Sequence, residues 1–331
     1  AIHTVSYGLM AFAGTVPLLL GARLLAGVGS GNISAAQAYI SDITSPEKRA
    51  GSLALIGAAF SLGFIFGAPV GGFLMAEYGF EAVGWFTGGL CFLNLVLAFF
   101  ILPESLQEKH PNTLIRVLPV RAFVRSFRHP GQRALFVNYF VYTVAFFMFQ
   151  LAATLTWKEE RMLSEKEISW LFSFIGLCSG ISQGILVGPL VKWLGELRLM
   201  FIGAGMLMVC LTSIPLIPDA WFIPAELIVL FFIALANGLM IAPGLSLLSK
   251  ITRSEVQGST MGLYQSTGAS ARFFGPLMAG VFYGISHEVP YFVGAVLLLI
   301  NFWMLRGLTG RRLKVYMARA QGLKKSEQKA D

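Results

Sequence analysis

Three charged side chains stand where charge is expensive. Arg23, Glu226 and Arg272 lie inside long apolar runs, and a charge near the middle of a membrane span costs several kcal/mol on insertion scales. A carboxyl group in such a place can carry a proton, and an arginine near it supplies a fixed positive charge that biases the protonation. The alternative for either arginine is an anchor that hydrogen-bonds the backbone carbonyls of neighbouring helices. Glu226 is about one turn inside its run, a depth that suits a proton site and also a wet vestibule. Asp42 joins this group from a polar turn, where it can pair with Arg49 in one conformation and part from it in another, or be solvated. Arg23, Asp42, Glu226 and Arg272 are the candidates for proton coupling.

A second set has the chemistry of a binding cavity. Asn32, Asn138, Gln150, Asn237 and Gln265 are amides within apolar runs. Asn138, Tyr142, Phe146 and Phe149 follow a spacing of i, i+4, i+8 and i+11, so they share one helical face. If that face looks inward, it lines a site for a bulky, partly apolar molecule; otherwise its rings face lipid.

Other chemistry is absent from the pattern. His3, His110, His129 and His287 form no ligand cluster, and Cys91, Cys178 and Cys210 sit inside apolar runs without disulfide or metal spacing. There is no nucleophile–base arrangement and no phosphate loop, so no enzyme, cofactor or metal is expected. The net charge of +8 is spread over turns and a tail, with no basic patch interleaved with aromatics to hold nucleic acid.

The elements that must position these residues are membrane helices. Hydrophobic residues make up 56% of the 331, charged residues 13%, and the mean hydropathy is +0.70, outside the range of soluble domains. Apolar runs cover 16–40, 50–75, 83–102, 134–157, 168–190, 199–217, 222–247, 258–285 and 289–307, with a shorter one before Gly14. Most are long enough to cross about 30 Å of hydrocarbon. Gly27 and Gly31, and Gly63, Gly67 and Gly71, form small-xxx-small ridges on which helices can approach closely.

The chain also repeats itself. At an offset of 208 residues, Ser41, Ile43, Thr44, Glu47, Leu55, Phe66, Gly67 and Gly72 recur as Ser249, Ile251, Thr252, Glu255, Leu263, Phe274, Gly275 and Gly280. Such a repeat marks transporters built from two related bundles. The expected division is a first bundle at 1–102, a linker at 103–132, a second bundle at 133–307 and a basic tail at 308–331. The second bundle begins near Arg133, so its counterpart should begin about 75 residues before Ala1. The expectation is therefore about ten helices of a twelve-helix chain, the third to the twelfth. Twenty of the twenty-five Lys and Arg residues fall in alternate loops and the tail, which places those loops and the C-terminus in the cytoplasm.

These motifs resemble the major facilitator superfamily, and within it the twelve-helix drug–proton antiporters close to the tetracycline-resistance efflux proteins. Arg23…Gly27…Gly31 looks like the family's fourth-helix arginine motif. Ala38-Tyr39-Ile40-Ser41-Asp42-Ile43-Thr44, followed by Glu47-Lys48-Arg49-Ala50, resembles its fourth-to-fifth turn. Gly63…Gly67-Ala68-Pro69-Val70-Gly71-Gly72 is similar to the fifth-helix antiporter motif, with Ala68 where a proline is usual. Leu102-Pro103-Glu104-Ser105 fits the end of the sixth helix, and Gly262…Gln265-Ser266…Arg272…Gly275-Pro276 the eleventh. Lys192 and Trp193 replace the usual Asp and Arg of the second-half signature turn.

The resemblance implies an all-α, two-bundle membrane fold that exports a drug-like or tetracycline-like molecule in exchange for protons by alternating access. It implies a monomer in the plasma or inner membrane, whose partners are the substrate, protons and the lipid bilayer. The alternatives are a metabolite importer or facilitator on the same fold, and a receptor or scaffold that no longer transports.

Overall fold

A bilayer core holds no water for backbone groups to bond, so an apolar chain crossing it must satisfy them within helices or closed barrels. The computed structural model takes the helical solution. It describes residues 1–30, 36, 39–40, 43, 46–103, 127, 129–252 and 257–308, with backbone only at 46–58, 60–61, 64 and 257–259. Among the described residues there is no strand. Asn32, Gly31 and Asp42 lie outside them, as do most of the 103–132 linker and the 308–331 tail.

The elements in order are α1 (Ile2–Ala11), α2 (Val16–Val28), α3 (Pro46–Ile101), α4 (Pro130–Leu155), α5 (Glu165–Ile181), α6 (Val187–Leu194), α7 (Glu196–Ser213), α8 (Phe222–Ile251), α9 (Gln257–Tyr283) and α10 (Val289–Arg306). Thr156–Glu160 and Ser182–Leu186 are single π-turns that extend α4 and join α5 to α6. Six stretches among the described residues are long and apolar enough to cross a membrane, from Ile65–Ile101 to Val289–Arg306.

Several ends are written in local sequence. Pro17 occupies the first turn of α2 and Pro130 that of α4, positions where the missing N–H is no loss. Ser164 and Glu167 form a capping box before α5: the Ser164 N–H donates to Glu167 Oε2 at 2.8 Å, and the Glu167 N–H donates to Ser164 Oγ at 3.3 Å. The run expected over 16–40 closes as a described helix at Val28, on Gly29. The runs expected at 50–75 and 83–102 form one stretch, α3, broken at Gly79, where φ is +79° and ψ −178°. This backbone region is essentially restricted to glycine. Gly195, with φ +78°, turns α6 into α7 in the same way.

The chain divides into two compact units, Ala1–Ile115 with Leu163–Ser173, and Arg116–Met162 with Phe174–Asp331. In the first, α1 packs on α2 and α3. Ser6 Oγ donates to Ala22 O at 2.6 Å, and a Cβ at Gly84 would stand 2.7 Å from Ala11 Cα. In the second, α4 packs on α9 and α10, and α7 on α8 and α10. Its core is drawn from α4, α7, α8 and α10, including Met148, Leu207, Leu211, Leu230 and Leu298.

Candidate functional site

The polar residues of the second unit collect in two places. The first is midway along α4. Tyr142, 2% exposed, donates its hydroxyl to Asn237 Oδ1 of α8, and its ring stacks at 6.1 Å on Phe146, which is half-buried. Phe149 continues this aromatic row at 6.2 Å from Phe146. Two amide and aromatic candidates from helices far apart in sequence therefore meet.

Asn138 belongs elsewhere. It is buried, and its Nδ2 donates to Asn301 Oδ1 of α10, while Asn301 Nδ2 donates back to the Asn138 carbonyl at 2.7 Å. Sequence reasoning did not single out Asn301. Its position inside the 289–307 run was the available signal, because a buried amide in a membrane helix needs a partner on another helix.

α4 also packs on α9. Tyr139 stacks on Tyr264 with centroids 4.1 Å apart, and its ring lies where a Cβ on Gly268 would be, at 2.6 Å. A Cβ on Gly275 would stand 2.8 Å from the Val144 carbonyl oxygen and 3.1 Å from the Met148 nitrogen. Pro276 follows within the same helix. Tyr139 also faces the guanidinium of Arg272. Arg272 and Gln265 are both exposed, and Gln150 is half-buried on α4.

The second place is the end of the unit where α4 runs into its π-turn. Glu226 is 0% exposed, and its Oε1 accepts a hydrogen bond from Trp157 Nε1 at 3.0 Å. Its Oε2 has no hydrogen-bond partner among the described residues. Tyr291 of α10 donates to Thr156 Oγ1 at 3.0 Å. Arg161 pairs with Asp219 and lies 4.4 Å over the Phe222 ring, and His287 pairs with Glu160. The π-turn matters because its extra residue changes the register of the helix just where Thr156 and Trp157 must face inward. Sequence periodicity offered no sign of it.

The first unit places its candidates differently. Arg23 is exposed on α2, with its guanidinium 5.8 Å from the Tyr7 ring centroid. Among the described residues nothing lies within 4 Å of a Cβ built on Gly27, Gly63, Gly67 or Gly71. The close approach expected of these ridges is seen only at the neighbouring Gly72, whose Cβ would meet the Ser169 side chain and stand 3.3 Å from the Glu165 carbonyl oxygen. Pro69 lies inside α3.

Buried amides, tyrosines and a carboxyl group are gathered between apolar helices long enough to cross a membrane. The family model described as Major Facilitator Superfamily matches residues 2–276 and 135–322. The chain belongs to the Major Facilitator Superfamily: it is a multi-pass membrane transporter of small molecules, not an enzyme. It is similar to Major facilitator superfamily domain-containing protein 10 of Mus musculus, with 26% identity over 328 residues, covering 91% of this chain and 69% of the relative. It is similar also to the class C tetracycline resistance protein of Escherichia coli, 28% identical over 317 residues, covering 92% and 76%. The crystal structure of the human organic anion transporter MFSD10 (TETRAN) superposes with a TM-score of 0.66 at 24% identity, covering 92% of this chain and 74% of that one. That likeness shows the fold: an all-α, two-bundle membrane architecture.

Proposed function

We propose that the chain exports a small, partly apolar molecule of a drug-like or tetracycline-like kind in exchange for protons, by alternating access, with Glu226 carrying the coupling proton. The observation that carries this is the Glu226 side chain, fully buried in a membrane helix with one oxygen held by Trp157 and the other without a hydrogen-bond partner among the described residues. An ionisable group inside a membrane segment is a functional site by default. Tyr142, Asn237, Phe146 and Phe149 form an aromatic and amide wall suited to such a molecule, with Gln150 and Gln265 as further contacts. Similarity to the tetracycline resistance protein supports this substrate class. The proton gradient is then the only energy source, and no cofactor is needed. The protein works as a monomer in the cell membrane, with its C-terminus in the cytoplasm as the basic loops require.

A second reading rests on Arg272. Arg272 is exposed on α9 and its guanidinium meets the Tyr139 side chain. A cation of this kind beside Tyr139 suits an organic anion, the class named for the structural neighbour.

Reconstitution in liposomes with an imposed pH gradient separates the two, with tetracycline and an aromatic carboxylate as competing probes. Gradient-driven tetracycline transport should fall about 100-fold in Glu226→Gln, the scale of a lost proton-transfer group, while tetracycline counterflow persists. Transport by Glu226→Gln that still follows the pH gradient would overturn Glu226 as the proton carrier. Aromatic carboxylate transport lost on Arg272→Gln, with tetracycline inert throughout, would favour the second reading.

A further inference from the structure

A cavity of about 50 Å³ lies against Trp157, the side chain that donates to Glu226, and Glu226 itself stands behind that wall. A single water needs about 10–15 Å³ of such space, so more than one fits. Its walls include Thr156, Trp157, Glu160, Arg161, His287 and Tyr291. Three of these surround the carboxyl group: Trp157 donates to it, and Arg161 and Tyr291 lie within its electrostatic reach. Two others, Glu160 and His287, have side chains 31% and 54% exposed. The cavity thus connects groups that reach the surface with groups that touch a fully buried acid.

Unpartnered polar atoms stand in the cavity wall and directly behind it. Among the described residues, Glu226 Oε2 and Arg161 Nε are buried without a hydrogen-bond partner. Buried polar atoms are normally satisfied by protein or ordered water; Arg161 lines the cavity, so water there can meet its Nε, while Glu226 Oε2 stands behind the Trp157 wall.

We propose that this cavity is a water-holding vestibule through which Glu226 exchanges its proton with the aqueous phase at this end of the membrane. The inference rests on Glu226 as the coupling group. His287 and Glu160 stand at the mouth, and Trp157 with the Tyr291–Thr156 pair forms the inner wall. A hydronium ion in the cavity gives up a proton, water relays it to the inner wall, and the Glu226 carboxylate behind that wall takes it on Oε2. No other bond changes, and Trp157 Nε1 keeps donating to Oε1 throughout. The charged and titratable groups lining this route are Glu160, Arg161, His287, Glu288 and Tyr291; next to them stand Asp219, paired with Arg161, Tyr283, stacked on His287, and Glu159 near Tyr283.

The test caps the mouth of the folded protein. His287→Cys, and Glu288→Cys as a second variant at the same wall, are reconstituted and treated with an anionic, impermeant methanethiosulfonate. Treated wild type controls for Cys91, Cys178 and Cys210. Capping should slow proton-driven tetracycline transport about tenfold relative to the same variant untreated, a barrier change of about 1.4 kcal/mol. Counterflow should stay near its untreated value, and a reducing agent should restore the rate. If capping leaves proton-driven transport unchanged while Glu226→Gln abolishes it, the vestibule is wrong and the Glu226 assignment stands. Capping that slows counterflow equally also overturns it, because the group then obstructs the whole cycle. If Glu226→Gln remains proton-driven, the assignment fails and the vestibule with it.

Discussion

Gly67 and Gly275 occupy the same place in the 208-residue repeat and live in opposite surroundings. A Cβ on Gly275 would press on the Val144 carbonyl oxygen at 2.8 Å and on Phe147 Cβ at 2.9 Å; one on Gly67 meets nothing described within 4 Å. The difference extends to the units around them. In the first, 11% of the most apolar window of Ile65–Ile101 is buried; in the second, the figure for Pro130–Glu160 is 56%. Phe66, Phe99 and Phe100 of the first unit are 64%, 81% and 79% exposed, surface that lipid or other protein must cover. A repeat in sequence therefore does not fix what each helix touches. Lipid solvates an apolar side chain as well as protein does, so tight packing in a membrane depends on backbone approach and hydrogen bonds more than on apolarity.

The sharpest way to break this comparison is the same substitution at both glycines. Gly275→Ala places a methyl against backbone atoms that cannot rotate away, and should destabilise the second unit by about 3 kcal/mol, the upper range for overpacking. Gly67→Ala should be neutral or stabilising by up to about 1 kcal/mol, the gain in helix propensity. Thermal unfolding of the purified protein in detergent would show it. Equal shifts for the two variants would mean that Gly67 has a packed neighbour as well.

The next effect is where the two units should agree. Gly79 and Gly195 both hold left-handed φ at a helix junction. Alanine at either position should cost about 1–3 kcal/mol through backbone strain, with no dependence on neighbours. A tolerated Gly195→Ala beside a damaging Gly79→Ala would show that packing, and not φ, governs these turns.

How much of this was legible beforehand divides along the same line. Helix content, the repeat and the rough extent of each run follow from hydropathy, because the bilayer leaves few backbone solutions. Tyr142 and Asn237 were recognisable as polar residues inside apolar runs, and they do meet. Asn301 is equally polar, but nothing in its own helix reveals that Asn138 lies opposite. Trp157 reads as one more interfacial aromatic; its role as donor to Glu226 depends on a π-turn that no periodicity encodes. Among 36 glycines, composition cannot separate the few in close contact from those facing open space. The expectation for Gly63, Gly67 and Gly71 needed knowledge of neighbours that the sequence lacks.

Asn138 and Asn301 carry the third prediction. Asn301→Leu leaves the Asn138 side-chain amide buried without its partner, and should destabilise the second unit by about 1–2 kcal/mol, the upper range for inter-helix hydrogen bonds in membranes. Replacing both by Leu should recover part of the loss, because the stranded polar group is then gone. No recovery in the double variant would assign the cost to shape instead of hydrogen bonding.

The smallest stability effect belongs to the first unit. Arg23 lies over the Tyr7 ring at 5.8 Å on an exposed face, and an exposed cation–π contact is worth about 0.5–1 kcal/mol. Arg23→Ala should therefore barely change the amount of folded protein in the membrane, which leaves its charge open to a functional test. If that charge tunes proton coupling, Arg23→Ala should lose gradient-driven transport and retain counterflow, since binding and coupling are separable steps. Arg23→Lys keeps the charge without the planar donor fork, so it should retain partial transport with a displaced pH optimum. A structural anchor predicts a different pattern, in which both variants fail by loss of membrane protein and neither alters the pH profile. Membrane abundance, counterflow and proton-driven uptake measured on the same preparations separate these outcomes. An alanine variant that still transports against a gradient with an unchanged pH profile would remove Arg23 from the coupling machinery.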